Sequence, residues 1–273
     1  MWLVSAWKGV PMPALEVRMF PCLQDNYGFL AHDPETGETT AIDTPDPAAY
    51  LAEAERAGWT ITQIWNTHHH YDHAGGNAAL KAATGARITG PGKDSRRIPQ
   101  LDVGVEEGEV ARLGAKTARV LETPGHTTGH IVYVFDEDRV AFVGDTMFAL
   151  GCGRLFEGSP EVMWPSLQKL LALPDDTKVY CAHEYTQSNA RFALTVEPDN
   201  TDIHAYRERA QTLRKQDLPT LPSTIGLERR VNPFLRTGQA PVRRAAEKQT
   251  SRTLVSEVEV FAAVRRWKDD FRG

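Results

Sequence analysis

Apolar positions in the first two thirds of the chain come in short runs closed off by glycine, proline and acidic residues, the spacing of strands and turns. Leu15 to Phe20 and Tyr27 to Ala31 read as strands, and Thr39 to Asp43 follows the turn sequence Asp33-Pro34-Glu35-Thr36-Gly37, which predicts a hairpin. Pro47 to Ala57 is alanine-rich and reads as a helix, with Pro47 tolerated in its first turn and Gly58 ending it. Ile61 to Asn66 is a strand that runs straight into a polar loop, and Gly76 to Thr84 a short helix ahead of the strand Ala86 to Thr89. Val110 to Leu113 and Lys116 to Leu121 pair across Gly114, and Ile131 to Phe135 and Arg139 to Val143 form a second hairpin across Asp136-Glu137-Asp138. In Glu161 to Leu173 the residues Met163, Leu167, Leu170 and Leu171 recur at helical spacing, and Lys178 to Cys181 is the last strand.

Strand signals stop at about residue 186. Asp202 to Lys215 and Ser256 to Phe271 read as helices, the second with a Ser256/Glu259 capping box, and the stretch between them is loop-rich with Pro219, Pro222 and Pro233. The expected organisation is an extension over 1–11, with Met12 as an alternative start, a sheet-based catalytic domain over 12–186, and a helical domain over 187–273.

Composition narrows the function without naming it. Apolar content of 41% and charged content of 25% over 273 residues suit a soluble globular protein. The net charge of −5 gives no general pull towards nucleic acid or an anionic membrane, and no run reaches the ~20 apolar residues of a membrane span. Cys22, Cys152 and Cys181 cannot all pair and lack Cys-x-x-Cys spacing, so buried free thiols and a cytoplasmic, reducing location are expected.

The chemistry concentrates in residues 67–76, Thr-His-His-His-Tyr-Asp-His-Ala-Gly-Gly, where His68, His70, Asp72 and His73 fall within six positions. In extended backbone His68 and His70 face the same way and can close on one ion while His69 points elsewhere. Asp72 and His73 are adjacent, so they diverge, and they suit a second ion nearby. Imidazole and carboxylate at this spacing are metal-ligand chemistry, and an internal cluster preceded by an apolar strand is no tag. His126, Asp145 and His183 also lie just beyond predicted strands, and loops leaving the same end of packed sheets converge. Asp145 is either a turn residue or a carboxylate whose two oxygens bridge two cations about 3.5–4 Å apart. His32, His69, His130 and His204 are read as non-ligands.

Thr-His-x-His-x-Asp-His with a later His, Asp and His resembles the metallo-β-lactamase fold superfamily, which implies an α/β fold, a four-layer αβ/βα sandwich with metals at one edge. Four further stretches make the likeness closer to glyoxalase II, the hydroxyacylglutathione hydrolases. They are Pro21 to Tyr27, Gly151 to Gly158, His183 to Thr186 with Asn189, Phe192, Ala193, Pro198 and Asn200, and Asn232-Pro233-Phe234 with the ending Arg265 to Phe271. The resemblance implies His68, His70 and His126 on one divalent metal ion and Asp72, His73 and His183 on the other, bridged by Asp145 and a hydroxide. Zinc is the first expectation, with iron or manganese as alternatives.

It further implies hydrolysis of a glutathione thioester, above all S-D-lactoylglutathione, by attack of that hydroxide with Asp72 and Asp145 as the catalytic carboxylates. Arg154, Phe156, Tyr185, Arg265 and Lys268 take the substrate-binding positions. Some family members have Lys and Tyr where this chain has Arg154 and Phe156; Phe156 cannot donate a hydroxyl. Rival readings are a β-lactamase, which usually has Cys in place of Asp145, a tRNA-processing nuclease, a persulfide dioxygenase, and a non-catalytic metal-dependent binding protein. A monomer acting on a small molecule, without nucleic acid or membrane partners, is expected.

Overall fold

Strands that are apolar on both faces must be covered on both faces. That condition holds for Asn26–His32, Ile131–Phe135 and Val140–Gly144, each buried along its whole length in the computed structural model, which describes residues 13–272. The expected extension 1–11 lies outside the described residues.

One six-stranded sheet is β1 (Glu16–Cys22), β2 (Asn26–His32), β3 (Glu38–Ile42), β4 (Thr60–Trp65), β5 (Arg87–Pro91) and β6 (Val103–Val105), in that order. The first three strands are antiparallel, and β3 to β6 are parallel. The helices α1 (Pro47–Ala57), α2 (Tyr71–Ala74) and α3 (Asn77–Thr84) lie in the crossovers between parallel strands. The other sheet contains β7 (Val110–Leu113), β8 (Lys116–Glu122), β9 (Ile131–Phe135) and β10 (Val140–Gly144). After the small pair β11 (Met147–Phe148) and β12 (Gly151–Cys152), α4 (Pro160–Leu171) leads to β13 (Lys178–Cys181), which lies parallel to β10.

The sheets bury a shared core: Phe29 meets Phe142 at 5.6 Å and Trp65 stacks on Phe135 at 5.9 Å. Leu30, Ile64 and Leu80 form a separate cluster with Tyr50 of α1, on the outer face of the first sheet. Buried Met163, Leu167 and Leu170 of α4 join the main core. The layers are therefore helix, sheet, sheet, helix, the four-layer fold that the resemblance implied.

The C-terminal part departs from the sequence reading. Besides α6 (Thr201–Arg214) and α9 (Glu257–Asp270), it holds α5 (Thr186–Val196), α7 (Ile225–Val231) and α8 (Ala240–Thr250). It also supplies a two-residue strand, β14 (Ser223–Thr224), which pairs with β13 and completes the second sheet. Two residues leave no period to read. In α8 only Val242 and Ala246 are buried, too sparse an apolar face to stand out. The capping box on α9 is present as expected.

Buried polar groups lock this part to the sheets. The Glu228 carboxylate accepts from Leu150 N at 2.8 Å, Ser223 Oγ at 2.5 Å and Asn232 Nδ2 at 3.0 Å, and Asn232 also donates to Gly151 O at 2.9 Å. Burial pushes the Glu228 carboxyl up from 4.5 to about 7, against the pull of those hydrogen bonds. The folded protein thus keeps a proton that the unfolded chain releases, so this group's contribution to stability falls as pH rises from 4.5 to about 7. Glutamine fits the same partners, its oxygen facing Leu150 N and its amide facing Ser223 Oγ. Glu228→Gln should therefore flatten the melting temperature across that window and match or exceed the native protein at pH about 8. Glu228→Ala should lose about 1–3 kcal/mol by leaving the Leu150 amide unpaired; thermal melts across pH check both.

Candidate metal centre and substrate cleft

Parallel β3 and β4 in one sheet and β8, β10 and β13 in the other all end at one edge of the sandwich, since β8 and β10 each run antiparallel to β9. His68 and His70 follow β4, His126 follows β8, Asp145 follows β10 and His183 follows β13. Asp72 and His73 sit on the single turn α2, where Asp72 Oδ2 comes within 3.7 Å of His73 Nε2. Adjacent side chains here converge rather than diverge, because helical backbone separates successive residues by ~100° instead of the near-opposition of a strand.

The seven residues form three overlapping groups whose ligand atoms lie within 4.8 Å: His68, His70 and His126; His68, His73 and Asp145; Asp72, His73 and His183. Asp145 stands between the outer two, Oδ2 at 3.4 Å from His126 Nε2 and Oδ1 at 3.4 Å from His73 Nε2 and 3.5 Å from His183 Nε2. His73 Nε2 and Asp145 Oδ1 are both buried without a hydrogen-bond partner. Orphaned polar atoms cost stability in a core; two that face each other among imidazoles and carboxylates suit divalent cations.

Each imidazole that has a partner is held from behind. His126 Nδ1 must carry the proton, since it donates to Arg154 O at 2.9 Å, and this leaves Nε2 free to face the cluster. His73 Nδ1 meets Asp43 Oδ2 at 2.8 Å and His183 Nδ1 meets Asp25 Oδ1 at 2.9 Å. His68 Nδ1 lies 3.1 Å from Thr67 Oγ1. Burial, then neighbouring imidazoles, pushes His68 well below its ordinary value and His70 to about 4, so both are neutral with lone pairs available. His73 goes the other way: burial lowers it, but Asp145, Asp43 and Asp72 together raise it to about 9. A cation there would supply the positive charge those carboxylates call for, displacing the proton.

From this centre a cleft of about 520 Å³ runs to α9. Tyr185 stacks on His183, centroids 4.8 Å apart, and Phe156, 62% exposed, stands 5.3 Å from His126. At the far end the partners of Lys268 Nζ among the described residues are Ser188 Oγ at 3.4 Å and the rings of Phe192 and Phe271 at 5.4 and 5.5 Å. Burial and then Arg265, Arg191 and Arg154 push its ammonium down to about 8. Arg265 lines the cleft but is only 5% exposed, its guanidinium against Phe234 at 4.9 Å and donating to Cys152 O at 2.8 Å.

Residues 33–183 match the metallo-beta-lactamase superfamily, and residues 184–271 match the hydroxyacylglutathione hydrolase C-terminus. The hydroxyacylglutathione hydrolase of Maricaulis maris (strain MCS10) is 54% identical over 260 residues, spanning 95% of this chain and 100% of that protein. The chain belongs to the hydroxyacylglutathione hydrolase family. Among solved structures, ETHE1 from Myxococcus xanthus is similar with a TM-score of 0.64 at 24% identity, over 93% of this chain and 98% of that one, a likeness of fold alone. TTHA1623 in a di-iron-bound form is similar at 0.57 and 25% identity, over 81% of this chain and all of that one.

In this hydroxyacylglutathione hydrolase family member the sequence reading brought every expected ligand to one edge but missed the groups behind them. Asp43 accepts from Thr67 N at 2.8 Å as well as meeting His73, and Asn26 Nδ2 donates to Asp72 Oδ2 at 3.2 Å. An acid ending a strand parallel to β4 was the available signal for Asp43. His130, read as a non-ligand, accepts the Asp145 N–H on Nε2 at 3.0 Å. His69 does turn away, to Asp94 Oδ2 at 2.9 Å. Asp43→Asn keeps the shape but offers His73 a neutral partner. It should weaken divalent metal binding about 10- to 100-fold, measured as metal retained against a competing chelator, with the fold intact by circular dichroism.

Proposed function

We propose that the protein hydrolyses S-(2-hydroxyacyl)glutathione thioesters, S-D-lactoylglutathione foremost, to glutathione and the free hydroxy acid. The observation that carries this is one cleft joining a seven-residue imidazole and carboxylate cluster to a half-buried Lys268 that has no carboxylate partner among the described residues. The family to which the chain belongs points to the same reaction.

His68, His70 and His126 would hold one divalent ion and Asp72, His73 and His183 the other, with the two oxygens of Asp145 turned to opposite halves. Zinc is our first choice, and iron or manganese would fit the same donors. Such ions, when bound, supply the Lewis acidity that generates a nucleophile from water and polarises a carbonyl. The chain's own residues bind and orient. Lys268 and Arg154 would take the glycine carboxylate of glutathione, with the buried Arg265 adding its field from behind. Tyr185 fixes the ring of His183, and Phe156 walls the mouth and sheds water from the reacting end, contributing area where a tyrosine would add a hydroxyl. Residues 12–186 serve as the catalytic domain and 187–273 as the substrate-binding one. We place the protein in the cytoplasm as a monomer; three free, buried cysteines suit a reducing compartment.

Metal-replete protein should turn over lactoylglutathione, and neither a β-lactam nor glutathione persulfide, and should lose activity on chelation and regain it on reloading. Hydrolysis of the β-lactam in preference to the thioester would overturn the reading. The carboxylate contact lies far from the scissile bond, so losing it should act alike on ground and transition states. Lys268→Ala should raise KM about 10- to 100-fold with a smaller change in kcat. In the native protein KM should also climb as pH rises through about 8, where the ammonium loses its proton.

A further inference from the structure

The cationic end of the cleft already contains an anion. Asp269 lines it together with Arg154, Arg265, Lys268 and Arg272, and its side chain is 43% exposed. Asp269 Oδ1 accepts from Arg265 Nη2 at 3.0 Å and lies 3.9 Å from Arg154 Nε, so one carboxylate stands between two guanidinium groups on the side that faces the cleft. Arg265 has other holds besides Asp269: Nη1 donates to Cys152 O at 2.8 Å and the guanidinium lies against the Phe234 ring at 4.9 Å. A half-exposed anion among the cations that line this cleft would compete with a ligand carboxylate for them.

We infer that Asp269 is a built-in counter-ion that competes with the ligand carboxylate for Arg154 and offsets the field of Arg265, and so limits how tightly the cleft holds glutathione. The inference rests on the reading of this cleft as a glutathione site. A site of bare cations would bind the released product as well as the substrate, since both carry the same glycine carboxylate. With Asp269 in place, departure of that carboxylate leaves the guanidinium groups paired rather than stranded, which favours release. Uniform binding of this end raises no transition-state preference, so a lower affinity here costs the chemical step nothing.

The test is calorimetric binding of glutathione to metal-loaded protein at pH about 6.5, where Lys268 stays charged, alongside the KM for lactoylglutathione. Three proteins are compared: native, Asp269→Asn, and Asp270→Asn, which makes the same change of net charge at an exposed position outside the cleft. Removing a competitor of half-exposed ion-pair strength should tighten glutathione binding about two- to fivefold. It should lower KM in step and steepen the loss of affinity with added salt. Asp270→Asn should move neither value comparably. Weaker binding by Asp269→Asn would show that the carboxylate positions Arg265, and equal tightening by Asp270→Asn would show an effect of net charge; either overturns the inference. Absence of binding to the native protein overturns the glutathione reading itself and this inference with it.

Discussion

Buried imidazoles need something behind them. Five of them meet at one sheet edge, and an imidazole free to rotate or to choose its tautomer would present a proton to its neighbour as readily as a lone pair. The hydrogen bonds to Asp43, Asp25, Thr67 and the Arg154 carbonyl remove that freedom for His73, His183, His68 and His126. Most of the surrounding loop structure can be read as a way of delivering those second partners. Gly76 has a negative φ, so the left-handed region does not explain it. It is glycine because a Cβ there would stand 2.3 Å from Thr44 O, where the histidine loop is tied against β3.

The partners are unequal on the two sides of the centre. His73 and His183 are backed by carboxylates, whereas His68 and His126 are backed by a hydroxyl and a carbonyl. A carboxylate makes an imidazole more basic and more attractive to a cation, so the half containing Asp72 is the more electron-rich. Asp145 spans that difference, and its own backbone is fixed by His130, which also stacks on His68 at 4.7 Å.

The same economy appears at the far end of the cleft. α9 brings Arg265, Lys268 and Asp269 to one face, and Phe192, Phe234 and Phe271 supply rings against which the cations lie. Aromatic faces hold cations without neutralising them, and among the described residues no carboxylate pairs with Lys268 beside the cleft. The helical part cannot swing as a free body around this contact, because β14 and the Glu228–Asn232 cluster fasten it to β13 and to the strands at the active edge.

The sequence by itself determined what is local. The strands β2, β4, β9 and β10, the amphipathic face of α4, the caps of α1 and α9, and the ligand types in residues 68–73 are all set by periods and neighbours a few residues apart. With the family resemblance it also named the seven residues that meet at one edge and the cations of α9 that line the cleft. Only the tertiary structure decided the rest, for two reasons. Adjacent Asp72 and His73 converge because the loop closes into one helical turn, a choice made by packing against Thr44 and not by the six residues themselves. Apart from Thr67, the neighbour of His68, the partners behind the imidazoles come from 28 to 158 positions away, as Arg154 to His126 and Asp25 to His183 do. No pattern along the chain records which distant carboxylate a buried imidazole will meet; that pairing exists only once two sheets have been brought face to face.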